Sequence, residues 1–156
     1  MKKSKKQLML AGTVCLLAFL VSRFFVQVIL IHGESMEPAF HSGQLTLIDK
    51  WTKEYQYNDV VAFRCEELSA ILIKRIVGMP GDTIQITDGI LYRNGEAVRL
   101  EYGTGSLSYG GLASEGIILG EGEYFVLGDN FERSRDSRYT QVGRVKEASI
   151  LGIVIW

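Results

Sequence analysis

The chain has 156 residues, of which 47% are hydrophobic, and its formal net charge is −1. This length predicts one domain with a substantial core. Four of the 17 Lys and Arg side chains lie in the first six residues, so the remainder is acidic and offers no basic face of the kind that binds nucleic acid.

The N-terminal segment is typical of a membrane anchor. Basic MKKSKK at 1–6 precedes the uncharged run QLMLAGTVCLLAFLVS at 7–22. As a helix rising about 1.5 Å per residue, this run would cover roughly 24 Å, slightly less than a hydrocarbon core of roughly 30 Å. A cleaved secretory signal peptide is the alternative, but the residues after Val21 lack the small side chains at −1 and −3 that cleavage needs. We therefore expect a cytoplasmic basic segment, an uncleaved transmembrane signal-anchor at 7–23, and an extracytoplasmic domain at 24–156.

Beyond the anchor the sequence reads as short β-strands. Alternating or β-branched runs predict strands at FFVQVILI, QLTLIDKW, DVVAFR, AILIKRIV, DTIQIT, ILYRNGEAVRL, EYFVLG and SILGIVIW. Asn94-Gly95 suits a two-residue hairpin turn, and Pro80-Gly81 suits the centre of a type II turn. The Gly- and Ser-rich stretch 103–122 predicts a long loop with one short strand at GIIL. No exported segment keeps a 3.6-residue period, so this part is predicted to be mostly antiparallel β.

The predicted strand AILIKRIV carries two cations among aliphatic residues. Strand alternation puts Lys74 on one face with Leu72 and Ile76, and Arg75 on the other face. One interpretation is that the long stems lie on the rim of the core while the charges reach water. The other is that burial lowers the pKa of Lys74 and leaves a neutral amine that can act as a general base.

A nucleophile for such a base is available in HGESMEPAF. Ser35 follows Gly33 just past an apolar strand, in a Ser-x-x-Pro sequence whose simplest interpretation is a turn. A hydroxyl exposed here would lie near the membrane surface. His32 and His41 are the only histidines, and neither is well placed for a Ser-His-Asp triad.

The third notable stretch is GDNFERSRDSR at 128–138, which follows the predicted strand EYFVL. It can be a solvated loop with local ion pairs, which contribute little to stability. It can also be a polar loop that holds a base in place. In that case Ser134 could donate a hydrogen bond to the neutral amine of Lys74, and Asp136 could pair with Arg138.

These stretches carry a family resemblance. GESMEP, IKRIVGMPGD and GDNFERSRDSR occur in this order behind a membrane anchor, and together they closely resemble the signature boxes of the bacterial type I signal peptidases. The resemblance implies a serine endopeptidase of the Ser-Lys type, with Ser35 as nucleophile and Lys74 as general base. It also implies that Ser134 orients the lysine and that Asp136 and Arg138 support the site. DVVAF resembles a further family strand that helps to bind substrate.

The same resemblance implies a fold and a substrate. The fold would be mostly β, with antiparallel sheets of the signal-peptidase/LexA-like type behind one N-terminal transmembrane helix. The substrates would be exported preproteins, cut after signal peptides with small residues at −1 and −3. Family position suggests Met36, Ile73 and Ile31 as walls of shallow substrate pockets, although each residue also suits an ordinary core. No metal cluster, phosphate loop or nucleotide motif is present in the sequence, so no cofactor is expected.

One departure from the family concerns the oxyanion hole. Some members carry a serine two residues before the nucleophile, and its hydroxyl helps to bind the oxyanion. Gly33 occupies that position here, so backbone N–H groups, chiefly that of Ser35, would have to form the hole.

Two alternatives remain at this point. The self-cleaving repressors share a Ser-Lys pair, but they carry a DNA-binding head and need no membrane segment. A specialised or non-catalytic signal-peptidase-like membrane protein, acting in pilus or surface-protein assembly, is the second. The presence of both Ser35 and Lys74 favours an enzyme.

Overall fold

A computed structural model describes residues 2–155 of the chain, with the backbone alone at 2–4 and 21–23. One helix, α1 (Lys2–Phe25), precedes the strands. The strands are β1 (Val26–Leu30), β2 (Leu45–Asp49), β3 (Val60–Cys65), β4 (Ala70–Gly78), β5 (Thr83–Thr87), β6 (Ile90–Arg93), β7 (Glu96–Val98), β8 (Ile117–Ile118), β9 (Glu123–Leu127), β10 (Val145–Lys146) and β11 (Ile150–Ile155). Two short 3₁₀ helices, Gly111–Ala113 and Glu147–Ser149, lie between strands.

The strands form two sheets in which every pair of neighbouring strands is antiparallel. The larger sheet has seven strands in the order β1-β2-β11-β3-β4-β9-β10, and the smaller has four in the order β7-β6-β5-β8. The prediction of a mostly antiparallel β fold is therefore confirmed. The predicted hairpin turn is formed as well, since Asn94 and Gly95 both have positive φ angles of 55° and 82°.

Two details differ from the predicted strands. The strand predicted at FFVQVILI begins two residues later, because Phe24 and Phe25 complete α1 and pairing with β2 starts at Val26, opposite Asp49. Strand β10 was not predicted, since two residues are too few to show alternation. The long loop at 103–122 contains β8, as expected, and also the first 3₁₀ helix.

Helix α1 coincides with the segment predicted to be a membrane anchor. It has 24 residues, and every side chain from 5 to 20 is exposed. Within residues 2–155, no helix combines the length and the apolar character that crossing a bilayer requires. The side chains at 21–23, which fall in the predicted anchor, lie outside the described residues.

Strand β4 lies near the centre of the larger sheet, and its residues belong to or pack against each of three buried hydrophobic clusters among the described residues. Ile76 belongs to one cluster of buried residues, Val77 to a second, and Ile73 packs against a third. The second cluster also joins the two sheets, because it contains residues of β5 and β6. From residue 74 to 78 every side chain of β4 is buried, so both of its cations lie in its buried half.

The end of the larger sheet formed by β1, β2 and β11 presents an apolar face to solvent. Register places Val28 opposite Leu47, Leu30 opposite Leu45, and Ile155 opposite Leu47. These five side chains are between 37% and 68% exposed, and we call them the apolar edge face. The face directly follows α1 along the chain.

Candidate active site

Ser35 lies in the serine loop, residues 31–44, which joins β1 to β2. Two hydrogen bonds between Ile31 and the turn at 43–44 close the base of this loop, at 2.8 and 2.9 Å. Gly33 has a φ angle of 88°, a conformation that favours glycine, so the chain can reverse just before the serine. Met36 and Phe40 are fully buried and fix the far side of the loop in the core. The half-buried Ser35 is therefore held by buried neighbours.

A second loop, which we call the GDN loop (residues 128–138), meets the serine loop. The backbone N–H of Asn130 donates to the carbonyl of Ser35 at 3.0 Å. Glu34 and Arg133, on the exposed side, form an ion pair between the same two loops. The position of Ser35 therefore depends on both loops.

Lys74 reaches Ser35 from β4. Its Nζ lies 2.7 Å from Ser35 Oγ and 2.8 Å from the carbonyl oxygen of Ile73, and the side chain is only 3% exposed. The interpretation in which this amine extends into water is therefore wrong. Burial lowers the pKa of Lys74 to about 8, against the opposing attraction of the Asp136 and Asp129 carboxylates.

Asp136 and Arg138 pair as expected, and both are fully buried. The Arg138 guanidinium donates to both carboxylate oxygens, at 2.8 and 2.9 Å, and to the carbonyl of Phe131 at 2.7 Å. The carboxylate also accepts a bond from the backbone N–H of Gly128 at 3.1 Å. The pair thus joins the beginning, the middle and the end of the GDN loop.

Ser134 lies in the site without its expected bond. Its Oγ is buried, and it is the one such side-chain N or O atom among the described residues that has no hydrogen-bond partner. The hydrogen bond predicted from Ser134 to Lys74 is therefore absent from this conformation. A methyl group added to Gly128 would lie 2.2 Å from Ser134 Oγ and 2.5 Å from the Ser35 carbonyl. Ser134 is thus close to the serine loop, across the Gly128 backbone.

A second buried ion pair was missed by the sequence analysis. Arg75 donates from Nε and Nη2 to the two carboxylate oxygens of Asp129, at 2.8 and 2.7 Å. Both residues lie in the motifs described above, but 54 positions separate them, so no local pattern predicts that they pair. The neighbourhood of β4 and β9 in the sheet brings them together.

The three proposed pocket residues also meet. Ile31 and Met36 belong to one buried cluster, and Ile73 packs against it. Ile31 and Met36 are 3% and 2% exposed, so in this conformation only Ile73 offers appreciable surface to a ligand. The two histidines, His32 and His41, differ from these residues because both are exposed.

The N–H of Ser35 is available as a donor. Among residues 2–155 it has no hydrogen-bond acceptor, although its own carbonyl oxygen is bound by Asn130. A free backbone N–H beside a nucleophilic hydroxyl can bind a developing oxyanion.

Comparison with known proteins gives a consistent family. Residues 4–156 match the family model described as signal peptidase, peptidase S26. The chain is 35% identical to signal peptidase I of Bacillus licheniformis over 136 residues, which cover 78% of this chain and 71% of that one. It is 33% identical to signal peptidase I T of Bacillus subtilis (strain 168) over 147 residues, or 88% and 76% of the two chains. The crystal structure of a signal peptidase I from Enterococcus faecalis V583 is similar, with a TM-score of 0.55 and 34% identity over 65% of this chain and 97% of that one.

The close approach at Gly128 gives a testable prediction for the site. In Gly128→Ala the methyl group would push apart the Ser35 carbonyl and Ser134, and a displacement of about 1 Å can lower reactivity by roughly 100-fold. We expect a loss of that order in the rate at which an acylating probe modifies Ser35, followed by mass spectrometry.

The matched control is Gly120→Ala. Gly120 lies just before β9, and Gly128 lies directly after the same strand. Its methyl group would meet only the flexible side chain of Glu123, at 3.2 Å. Equal labelling rates in the two variants would show that the packing at Gly128 does not hold the site.

Proposed function

We propose that this chain, which belongs to the signal peptidase family (peptidase S26) as a type I member, is a membrane-bound endopeptidase that removes signal peptides from exported preproteins with a Ser-Lys dyad. The observation that carries the proposal is the 2.7 Å contact between the buried amine of Lys74 and the hydroxyl of Ser35. A base and a nucleophile within hydrogen-bonding distance are what acyl transfer requires.

The dyad would work as follows. Neutral Lys74 accepts the proton of Ser35 as Oγ attacks the carbonyl carbon of the scissile peptide bond. The C–N bond then breaks, the leaving amine takes the proton from Lys74, and an acyl-enzyme remains on Ser35. Lys74 next takes a proton from water, whose oxygen attacks the ester, and returns that proton to Ser35. The steps in which Lys74 takes a proton from Ser35 and from water need an uncharged amine, and the lowered pKa of about 8 raises the uncharged fraction near neutral pH.

The oxyanion would be bound by the backbone. The unpaired N–H of Ser35 is the first donor in our proposal, because Gly33 has no side chain that could supply another. A preorganised donor of this kind contributes roughly 2.7–4 kcal/mol to transition-state stabilisation. The bond from Asn130 to the Ser35 carbonyl supports this role by fixing the peptide plane on the other side of the residue.

The supporting residues would act by position. Asp136 and Arg138 shape the GDN loop, which holds the serine loop through Asn130. Ser134 has a buried hydroxyl with a free donor and a free acceptor. We propose that it orients Lys74 during the reaction, when the amine moves away from the carbonyl of Ile73.

The substrate would lie in extended form across the site. Extended peptides add to sheets through main-chain hydrogen bonds, and side-chain pockets then set specificity. Ile73 would form the exposed wall of a shallow pocket with Met36 and Ile31 beneath it. A pocket with so little depth favours the small residues at −1 and −3 that signal peptides carry before their cleavage sites.

Membrane attachment completes the proposal. We place the basic segment 1–6 in the cytoplasm, the anchor at 7–23 and the catalytic domain at 24–156 outside, in a single-pass arrangement. The exposed apolar side chains of α1 and the adjoining apolar edge face support it, because both are costly to expose to water and both suit contact with lipid. Lipid contact would bring the catalytic site close to the end of a membrane-embedded signal peptide.

A purely binding role, as in a non-catalytic relative acting in surface assembly, is less well supported. A binding module gains nothing from a lysine that is buried against a serine hydroxyl. Burial of a charged amine costs free energy, so such an arrangement would only destabilise the fold. A specialised substrate range, such as pilin precursors, is compatible with the same dyad.

The dyad predicts the behaviour of two variants. Ser35→Ala removes the nucleophile, and Lys74→Arg replaces the base with a group that stays charged near neutral pH. We expect cleavage of a model preprotein in detergent to become undetectable in both. The exposed residues Ser108 and Lys146 provide the matched controls, and Ser108→Ala and Lys146→Arg should cleave as the wild type does. Normal processing by either dyad variant would eliminate the proposed mechanism.

The proposed topology predicts a protection pattern. In spheroplasts of cells that express the full chain, external protease should digest the domain at 24–156 and leave an N-terminal epitope intact. Alkaline carbonate should not extract the protein, because the anchor lies in the bilayer. If digestion required lysis of the cells, or if carbonate released the chain, the single-pass arrangement would be wrong.

A further inference from the structure

A surface segment beside the GDN loop, which we call the strap (residues 100–107), is fixed to the core at both ends. Leu107 is buried in the hydrophobic cluster that joins the two sheets, and Leu100 packs against the same cluster. Between these two leucines, the residues at 104–106 are exposed. The strap therefore passes over the surface of the domain while its ends cannot move far.

The middle of the strap pairs with the GDN loop through the backbone. Thr104 forms a parallel bridge with Asn130. The N–H of Thr104 donates to the carbonyl of Asp129 at 2.7 Å, and the N–H of Phe131 donates to the carbonyl of Thr104 at 3.0 Å. The GDN loop is thus bound along one edge by the strap, in addition to its hydrogen bond with the serine loop.

Both contacts act on a single peptide unit. The carbonyl of Asp129, which accepts from Thr104, and the N–H of Asn130, which donates to the Ser35 carbonyl, belong to the same peptide bond. This bond is trans, so its C=O and N–H point in opposite directions within one rigid plane. The strap and the serine loop therefore hold the two sides of one plane.

This arrangement transmits position from the strap to the serine. Rotation of the 129–130 peptide plane would break the hydrogen bond to Thr104 and the one to Ser35 together. Hydrogen bonds that follow one another through a peptide group also polarise one another, so the first strengthens the second. The Ser35 carbonyl restrains rotation within Ser35, whose own N–H and Oγ must face the substrate carbonyl for the proposed reaction.

We propose, on the basis of the proposed function of Ser35 as nucleophile, that Thr104 is a positioning residue, whose backbone N–H holds the Asp129–Asn130 peptide plane and through it the nucleophile. The role belongs to the backbone of the strap and not to a side chain in the site. Ser35 and Thr104 are far apart in sequence, and they act on each other through this one peptide unit.

Gly103 allows the strap to lie so close to the GDN loop. A methyl group added there would lie 1.9 Å from Cζ of Phe131 and 2.4 and 2.9 Å from its two Cε atoms. Gly103 does not have a positive φ angle, so the backbone itself tolerates alanine at this position. Glycine is required here by the space that the Phe131 ring occupies.

The direct test replaces the amide of Thr104 by an ester in the full-length chain, through incorporation of the α-hydroxy analogue of threonine. This change deletes the N–H donor and keeps the side chain. We expect kcat on a model preprotein in detergent to fall about tenfold, because a shift of about 1 Å can lower reactivity by roughly 100-fold and this shift is smaller. KM should not change, since the pocket walls are untouched.

The matched control is the same amide-to-ester change at Ser106. Its N–H also joins the strap to the GDN loop, but it donates to the side chain of Glu132, at 3.1 Å, and not to the 129–130 peptide plane. This variant should keep the wild-type kcat. A spectroscopic measurement accompanies both variants: the amide proton resonance of Asn130 should move upfield in the Thr104 ester, as its hydrogen bond weakens, and stay in place in the Ser106 ester.

A second pair of variants tests the same contact without an ester. Gly103→Ala should lower kcat to a similar extent, because the methyl group separates the strap from the loop. Leucine lacks the three ring atoms that this methyl group would meet, so Phe131→Leu should suppress the effect. We expect the double variant to match Phe131→Leu alone in kcat and in the resonance of Asn130.

The outcomes separate this role from a general loss of stability. Wild-type kcat in the Thr104 ester, an equal loss in the Ser106 ester, or a change confined to KM would each overturn the inference. If the Thr104 ester does not fold, as judged by circular dichroism, the Gly103 and Phe131 variants decide, and a double variant as slow as Gly103→Ala contradicts the inference. Failure of the proposed function is distinguishable, because the wild type would then cleave nothing while the Asn130 resonance still reports whether Thr104 holds the peptide plane.

Discussion

The structure depends on one unfavourable arrangement, the burial of the Lys74 amine against a serine hydroxyl. A lysine in water holds its proton at neutral pH, and here burial lowers the pKa of Lys74 to about 8. That burial requires a strand with a covered C-terminal half, which β4 has because Ile76 and Val77, on its two faces, belong to separate buried clusters.

The rest of the fold holds two loops against this strand. The serine loop is anchored by buried side chains in the core, and the GDN loop is closed by the buried pair of Asp136 and Arg138. The backbone hydrogen bond between them, from Asn130 to Ser35, helps to set the position of the Ser35 hydroxyl relative to the amine. Gly128 permits this contact because any side chain there would overlap the Ser35 carbonyl. The candidate site is thus formed by close backbone packing as much as by its polar side chains.

Much of the fold and of the candidate site could be predicted from sequence, and there are physical reasons why other features could not. Strands and the Asn94-Gly95 turn follow from local alternation and backbone preferences. The candidate pair of Ser35 and Lys74 could be identified because its motifs are specific in combination. The bond between Arg75 and Asp129 could not, because it depends on which strands become neighbours. The missing bond of Ser134 depends on three-dimensional geometry that no residue pattern encodes.

The most direct test of the account is the pKa of the Lys74 amine itself. NMR titration of the full-length, ¹⁵N-lysine-labelled chain in detergent would measure it, with Lys74→Arg used to assign the signal. The account predicts a midpoint of about 8. A midpoint close to 10.4, the value of a lysine in water, would contradict it, because the neutral fraction of the amine at pH 7 would then fall from roughly one in ten to below one in a thousand.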